Sequence, residues 1–384
     1  MKLLLIVAHP QYYIGGAEIQ AYRLAKEFAK IGYEVSFLMT KPASIKRNTF
    51  NVCDDSGFQI YFYKEYRLIK LSSIFKAYNA IKTINPDFIY LRGSIYAWPA
   101  AFLFSRRKYS EVPILWQVRS GRSLIRFSNT KELFRSSNVL SILFNLINNL
   151  SKDIIQLYTI RYSSLIISQT NGNKETLKKV FKRDSILVKK GIYLNQDEYT
   201  KDAFLPMKVY FIRNIKPHSR INLFLDVYKY IQDSKDKDFF EFNIIGENQI
   251  KENLSILEQK PRIRYHGKLH NEEILKHLRS AHILIDTLKE YNDQTTFSNV
   301  FLEAWANRVV VCSFDTNPDH VLTDQNIGFK VNSVEECALK LIDLRNNREL
   351  WETIAANAFN YVKDQHSLKT EVLSLNATMQ SCVH

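Results

Sequence analysis

The chain has 384 residues, 46% apolar and 24% charged, with a formal net charge of +14. That length accommodates two domains of ordinary size, and that balance excludes a disordered or low-complexity chain. The charge is uneven: residues 1–195 hold 30 Lys and Arg against 12 Asp and Glu, whereas residues 196–384 hold 23 against 27.

So basic a front half calls for an anionic partner, which would be a membrane surface, a nucleic acid or a phosphorylated substrate. No helix-turn-helix, RNA-binding or zinc pattern accompanies the charge, so nucleic acid is not expected. Cys53, Cys312, Cys337 and Cys382 are scattered without CxxC spacing and read as free thiols, with no metal or disulfide framework. The opening MKLLLIVAHP is too short an apolar run to cross a bilayer and lacks a cleavage pattern, and no later run reaches about 18 apolar residues. The expected location is cytoplasmic, peripheral at the inner face of the membrane.

In chain order, KLLLIVA (2–8) reads as a buried strand, HPQYYIGGAEIQ as its exit loop, and 17–32 as an amphipathic helix closed by Gly32. EVSFLMT (34–40) follows as the next strand, which makes one βαβ unit with Gly15 and Gly16 at the turn. Adjacent glycines permit close approach of the backbone to a ligand, and equally serve a tight turn. Further strands are read at 58–63, 87–91, 113–118, 164–169 and 185–189, separated mostly by helical stretches, so the first half reads as a doubly wound parallel domain. Residues 124–160 form a mostly helical excursion in which Leu, Ile and Phe are interleaved with cations such as Arg126 and Lys152. That pattern suits ordinary packing or an interfacial membrane surface. The polar segment 189–207 reads as the link to a second domain.

That domain opens with the strand KVYFIRN (208–214), the loop IKPHSR and the helix 221–231. Arg213, Lys216 and Arg220 ahead of a helix N-terminus would make a diphosphate cradle. FNIIG (242–246), RIRYHG (262–267), a helix at 271–281 and ILIDT (283–287) continue the alternation, and helices at 334–347, 348–365 and 367–380 close it. Asp236-Lys237-Asp238 fits an Asp-x-Asp metal motif but lies in the charged run DSKDKD, and reads as a solvated turn. His9 and His218 fall on loops expected at the site, as structural or binding residues rather than bases.

In TTFSNVFLEAWANRVVV (295–311), Phe297, Val300, Phe301, Ala304 and Trp305 lie on one helix face. Thr295, Thr296 and Ser298 stand where hydroxyls cap a helix start, and 309–314 reads as a buried strand. Glu303 is the one acid on this mostly apolar helix. The stretch resembles the donor-site signature of the retaining family 4 glycosyltransferases, Glu-Gly-Phe-x-Asn-x-x-Leu-Glu-Ala followed by Gly-Val-Pro-Val-Val. Phe297, Asn299, Leu302, Glu303 and Ala304 match, while the first glutamate falls on Thr295 and the later Gly and Pro fall on Arg308 and Val310. The opening GGAE is similar to the family's first loop. The segment 213–220 resembles Gly-Asn-Ile-Arg-Pro-x-Lys-Arg-Pro, with Asn214, Ile215, Pro217 and Arg220 matching, Lys216 replacing Arg, and the phosphate-contacting lysine falling on Ser219. Near residue 190 the family commonly reads Pro-Asn-Gly-hydrophobic-Asp. Gly191 and Ile192 match, while Lys190 and Tyr193 depart.

The resemblance implies an α/β chain of two Rossmann-like domains facing each other across a cleft, the GT-B architecture. It places the acceptor side at 1–195, the donor side at 196–366, and at 367–384 a terminal helix that returns to the first domain. It implies donor contacts from Gly15, Gly16, Asn214, Thr295, Phe297, Ser298, Asn299 and Glu303, the last on ribose. Lys216 and Arg220 are expected to supply the charge that stabilises the leaving diphosphate, with Glu18, Gln117 and Arg119 on the acceptor side. Gln117 stands near a histidine common in the family and cannot exchange a proton at neutral pH. The diphosphate can itself take the acceptor's proton, so no protein base, metal or cofactor is required. The inserted KEYNDQ (289–294) offers Glu290 and Asp293 in place of the glutamate missing at Thr295. The expected activity is transfer of a sugar from a nucleoside-diphosphate-sugar to a glycolipid, other lipid-linked or surface-polysaccharide acceptor. The alternative is a catalytically silent homologue that binds a sugar nucleotide or a partner enzyme.

Overall fold

Runs of β-branched and aromatic residues bounded by amphipathic helices produce two parallel sheets, each covered on both faces, as parallel sheets require. The structure is a computed structural model that describes residues 1–13, 15–46, 49–64, 70–107, 112–118, 124–125, 127, 139–194, 204–216, 219–250, 260–289 and 297–382. Its contacts divide the chain into two compact units, one made of 1–190 and 368–384, the other of 191–367.

The first unit's sheet comprises β1 (Lys2–Ile6), β2 (Glu34–Thr40), β3 (Asn51–Cys53), β4 (Gln59–Tyr63), β5 (Phe88–Leu91), β6 (Ile114–Gln117), β7 (Leu165–Ser168) and β8 (Ile186–Leu187). The strand order is β3-β4-β2-β1-β5-β6-β7-β8. Only β3 runs antiparallel, as an edge hairpin on β4. The order reverses at β1, which pairs with β2 on one side and with β5 on the other. One face packs Leu3, Leu5 and Tyr90 against Ala21, Leu24 and Phe28 of the helix Gly16–Lys30. Leu368, Val372, Leu375 and Met379 of the helix Leu368–Gln380 join that same core. The other face packs Leu4, Ile6 and Trp116 against helices Lys70–Ile84 and Trp98–Arg107.

The second unit's sheet comprises β9 (Met207–Ile212), β10 (Phe240–Ile245), β11 (Ile263–Tyr265), β12 (Ile283–Asp286), β13 (Val310–Ser313) and β14 (Gly328–Lys330). The order is β11-β10-β9-β12-β13-β14, parallel throughout. Here the reversal lies at β9, between β10 and β12. Helix Ile221–Gln232 buries Phe224, Val227 and Ile231 on one face of this sheet, and helix Asn299–Ala306 buries Phe301, Leu302 and Trp305 on the other. Ile192 belongs to this second core and bridges to Ser367, so the segment read as a linker is structured at that point.

The run DSKDKD is not a solvated turn throughout, because Asp236 is 4% exposed and paired with Arg345, whose guanidinium also lies 4.1 Å over the Phe239 ring. Asp238 pairs with Arg262 at 3.2 Å. The Asp236–Arg345 pair ties the turn after helix Ile221–Gln232 to helix Val334–Asn346, and the Asp238–Arg262 pair ties it to the start of β11, so this charge run is structural. Among the described residues no three His, Cys, Asp or Glu side chains group as a metal site, and no helix is long and apolar enough to cross a membrane.

Candidate functional site

In the second unit the exits of β9, β10, β12 and β13 meet at one edge of the sheet, where ligands of such sheets bind. The β9 exit carries Arg213, whose Nη2 donates to Asp286 Oδ1 at the end of β12 over 2.8 Å. The pair spans the reversal of strand order, with Asp286 only 5% exposed. Arg213 N donates to Ile245 O and Ile215 N to Glu247 O, both at 2.9 Å, which sews the β9 exit to the β10 exit. Gly246 at that seam has φ +148°, and a Cβ there would stand 1.9 Å from the Arg213 carbonyl oxygen. Only glycine fits so close an approach.

The loop then turns on Ser219, which is fully buried. Its hydroxyl donates to Asn214 O at 2.8 Å and accepts from Lys216 N at 2.9 Å, while its carbonyl accepts from the Thr287 hydroxyl. The residue in place of the family's lysine is therefore a hinge pin for the loop. Arg220 lies just ahead of helix Ile221–Gln232 with φ +47°. Its Nε donates to Thr287 O at 2.8 Å and its Nη2 to Leu288 O at 3.3 Å, and it pairs with Asp315 beyond β13 at 2.5 Å. Such a fork fits a planar guanidinium and not an ammonium. Arg220 thus joins the exits of β9, β12 and β13. Lys216 is half-buried, and among the described residues its ammonium makes no ion pair, which leaves it the cation of this loop without a carboxylate partner. Asn214 is exposed, with its side-chain oxygen on Glu247 N at 3.2 Å.

Helix Asn299–Ala306 starts at Ser298, whose hydroxyl accepts from Phe301 N at 3.1 Å. Ser298 and Asn299 are half-buried at this start, and Glu303 lies one turn on, 5% exposed. Phe297 does not face outward: its ring is 1% exposed and packs 4.8 Å from His366 and 6.1 Å from Trp305. It anchors the entry to the helix from within the core. Thr295, Thr296, Glu290 and Asp293 lie outside the described residues, as do Pro217 and His218.

In the first unit, Gly15 precedes the helix Gly16–Lys30 and Glu18 folds back over it. A Cβ on Gly15 would stand 2.4 Å from Glu18 Oε2. Gly15 has extended φ, so glycine here serves close approach rather than an unusual backbone. Gly16 is exposed and Glu18 half-buried. Gln117 ends β6, 1% exposed, with its Oε1 accepting from the Tyr90 hydroxyl at 2.9 Å. Arg119 lies outside the described residues. His9, beyond β1, is 2% exposed, with Nε2 3.1 Å from Asp54 Oδ2 and Nδ1 accepting from Gln11 N at 3.3 Å. Burial lowers its pKa despite Asp54. Both ring nitrogens are engaged, so His9 pins the first loop and leaves no nitrogen for proton transfer. Sequence reasoning missed Asp286, Asp315 and Thr287. The available signal was a polar residue closing an otherwise apolar strand.

The sequence and structure have known relatives. Residues 14–186 match the family described as Glycosyltransferase Family 4, and residues 206–347 match Glycosyl transferases group 1. No curated protein matches the chain in sequence. Similar solved structures include a sucrose-phosphate synthase from Thermosynechococcus elongatus, at 12% identity and TM-score 0.73 over 99% of this chain and 98% of that one. Anabaena Alr3699/HepE in complex with UDP-glucose aligns at 14% identity and TM-score 0.69, over 99% and 100% of the two chains. WaaG, a glycosyltransferase involved in lipopolysaccharide biosynthesis, aligns at 11% identity and TM-score 0.69, over 98% of each. Two doubly wound units of this order, each matched to its half of the family pattern, place the chain among the family 4 glycosyltransferases of GT-B architecture.

Proposed function

We propose that the protein transfers a sugar, with retention, from a nucleoside-diphosphate-sugar held by its second unit to a lipid-linked or surface-polysaccharide acceptor taken by its first. The observation that carries this reading is the cradle in which Arg220 and Arg213 fix three strand exits while Lys216 makes no ion pair among the described residues. A donor's diphosphate would meet Lys216 and the loop's backbone, and Glu303 would receive the ribose hydroxyls. As the sugar–phosphate bond breaks, negative charge grows on the leaving diphosphate, and a fixed cation there lowers the barrier more than it tightens ground-state binding. The acceptor's hydroxyl attacks from the face the diphosphate leaves, and the departing oxygen takes its proton. No metal or other cofactor enters this scheme. The UDP-glucose complex of HepE is consistent with a uridine nucleotide, and the role of WaaG with a surface-glycan acceptor.

The acceptor would be met at an anionic membrane surface. On the first unit, Leu150, Ile154, Tyr162 and Val180 are exposed, and Arg161, Lys178, Lys179 and Lys182 are exposed near them in sequence. Apolar side chains set among cations suit anionic headgroups. Arg122, Arg126, Lys131 and Arg135 of the same excursion lie outside the described residues.

Thermal stabilisation across a panel of nucleoside diphosphates tests the donor assignment, because a ligand that binds the native state raises its stability by mass action. One nucleotide should stabilise the wild type, and Glu303→Ala should weaken its binding by about 1–3 kcal/mol while the chain stays folded. Equal affinity in the folded variant would remove Glu303 from the site.

A further inference from the structure

The first unit buries a cation that no mechanistic step above uses. Arg92 follows β5 at the point where the strand order reverses, and its backbone N–H donates to Ile6 O of β1 at 3.2 Å. Its side chain is 5% exposed, yet Nε and Nη1 have no hydrogen-bond partner. Its guanidinium lies 5.5 Å from the centre of the Tyr90 ring. Gln117 stands at the end of the neighbouring strand, since Leu91 and Trp116 are register partners, and the residues after and before them alternate to the same face. The Tyr90 hydroxyl donates to Gln117 Oε1, and burial holds that phenol protonated, so the amide is oriented with Nε2 as its free donor. Glu371 of the helix Leu368–Gln380 bears on the same phenol, but its carboxylate is held by Gln20 at 2.8 Å and not by Arg92.

Unpartnered donors at the reversal of a parallel sheet mark the edge where such sheets bind ligands. A buried guanidinium with no direct ion pair among the described residues is costly to the fold, even with the Glu371 carboxylate bearing on the same phenol. The donors left here are Arg92 Nε and Nη1 and Gln117 Nε2, and the guanidinium is permanently charged. We infer that Arg92 and Gln117 form an anion subsite that takes a phosphate ester or carboxylate on the acceptor. This rests on the reading that the first unit takes the acceptor, and it narrows the acceptor to an anionic one.

The test uses the full chain and inorganic phosphate as probe, against sodium chloride at matched ionic strength. Thermal stability of the wild type should rise saturably with phosphate. Arg92→Met should weaken phosphate at least about tenfold, the equivalent of one charge-assisted hydrogen bond. With no anion present that variant should also melt above the wild type, since it removes a buried charge. Arg92→Lys, which keeps the charge, should retain a weaker response. Glucose 6-phosphate and glucuronate, with glucose as the uncharged control, separate a phosphate ester from a carboxylate. The nucleotide response should be the same in all variants, so failure here is distinct from failure of the donor assignment. A wild type indifferent to phosphate, an Arg92→Met response equal to the wild type's, or an Arg92→Met chain that melts lower or does not fold would overturn the subsite.

Discussion

Arg220 and Asp315 form a 2.5 Å ion pair across the mouth of the second sheet, and the same guanidinium holds the backbone carbonyls of Thr287 and Leu288. Arg220, expected with Lys216 to make up for the family lysine that falls on Ser219, is thus already occupied in shaping the loops, while Lys216 makes no ion pair among the described residues. Under the proposed function the two cations divide the work: Arg220 fixes the cradle, and Lys216 would meet the diphosphate's charge.

Lys216→Ala should then leave the melting temperature within a degree or two of the wild type while lowering turnover by about 10²–10³, the usual effect of removing one transition-state donor. Arg220→Ala should lower both turnover and stability, the latter by about 1–3 kcal/mol, because two carbonyls and a carboxylate lose their partner. Steady-state kinetics beside thermal melts distinguish them. A Lys216 variant that melts early would show that its charge serves the fold instead.

Gly246→Ala should be among the most damaging substitutions of one carbon. The added Cβ meets the Arg213 carbonyl at 1.9 Å, and φ is +148°. Backbone would have to move at the seam that positions Arg213 against Asp286. A loss of about 2–4 kcal/mol is expected, in line with strain at a position only glycine tolerates. Denaturant unfolding measures it, and a loss under about 1 kcal/mol would show that the seam yields easily.

Arg308 takes the left-handed conformation (φ +55°) at the place where the family carries glycine. Its guanidinium lies 4.5 Å over the Phe359 ring. The backbone strain of about 1–2 kcal/mol and a cation–π contact of about 0.5–1 kcal/mol oppose each other. Arg308→Gly should be neutral or slightly stabilising, whereas Arg308→Ala keeps the strain, loses the contact, and should be the less stable of the two. An Arg308→Gly chain clearly less stable than the wild type would mean the cation–π contact outweighs the strain.

His9, His266 and His277 all have pKa values lowered from the ordinary 6.5, each chiefly by burial. The rings of His266 and His277 stand 4.6 Å apart, so a charge on one also disfavours a charge on the other. Between the unfolded value and the lowered folded values, the unfolded chain binds more protons, so stability rises with pH there. It should be fully present above about pH 6.5 and fall as pH drops below it. Replacing His266 with Phe should flatten that fall in a pH series of melts, and an unchanged slope would show that the pair does not titrate in that range.

The strands were legible because buried parallel strands read as continuous apolar runs, and β2 was placed residue for residue at 34–40. β3 and β14 were not, since Asn-Val-Cys and Gly-Phe-Lys each hold a single large apolar residue and show neither an apolar run nor a period. At the site, Arg213, Lys216 and Arg220 could be read from their position after an apolar strand. Their division of labour could not, because it depends on Asp286 and Asp315, which are 73 and 95 residues away from Arg213 and Arg220 in sequence. Phe297 shows the converse: a motif match placed it at the donor, while its ring completes a buried aromatic cluster.

Under the proposed function, this altered donor site still transfers sugar. The most direct measurement follows incorporation of labelled sugar from several nucleoside-diphosphate-sugars into membrane extract, with release of the nucleoside diphosphate and the configuration of the product read in the same reaction. Transfer from at least one donor is expected, with the sugar's anomeric configuration retained and the activity lost in Lys216→Ala. Tight nucleotide binding with neither transfer nor donor hydrolysis, across all donors and with the full extract present, would contradict it and favour a chain that only binds.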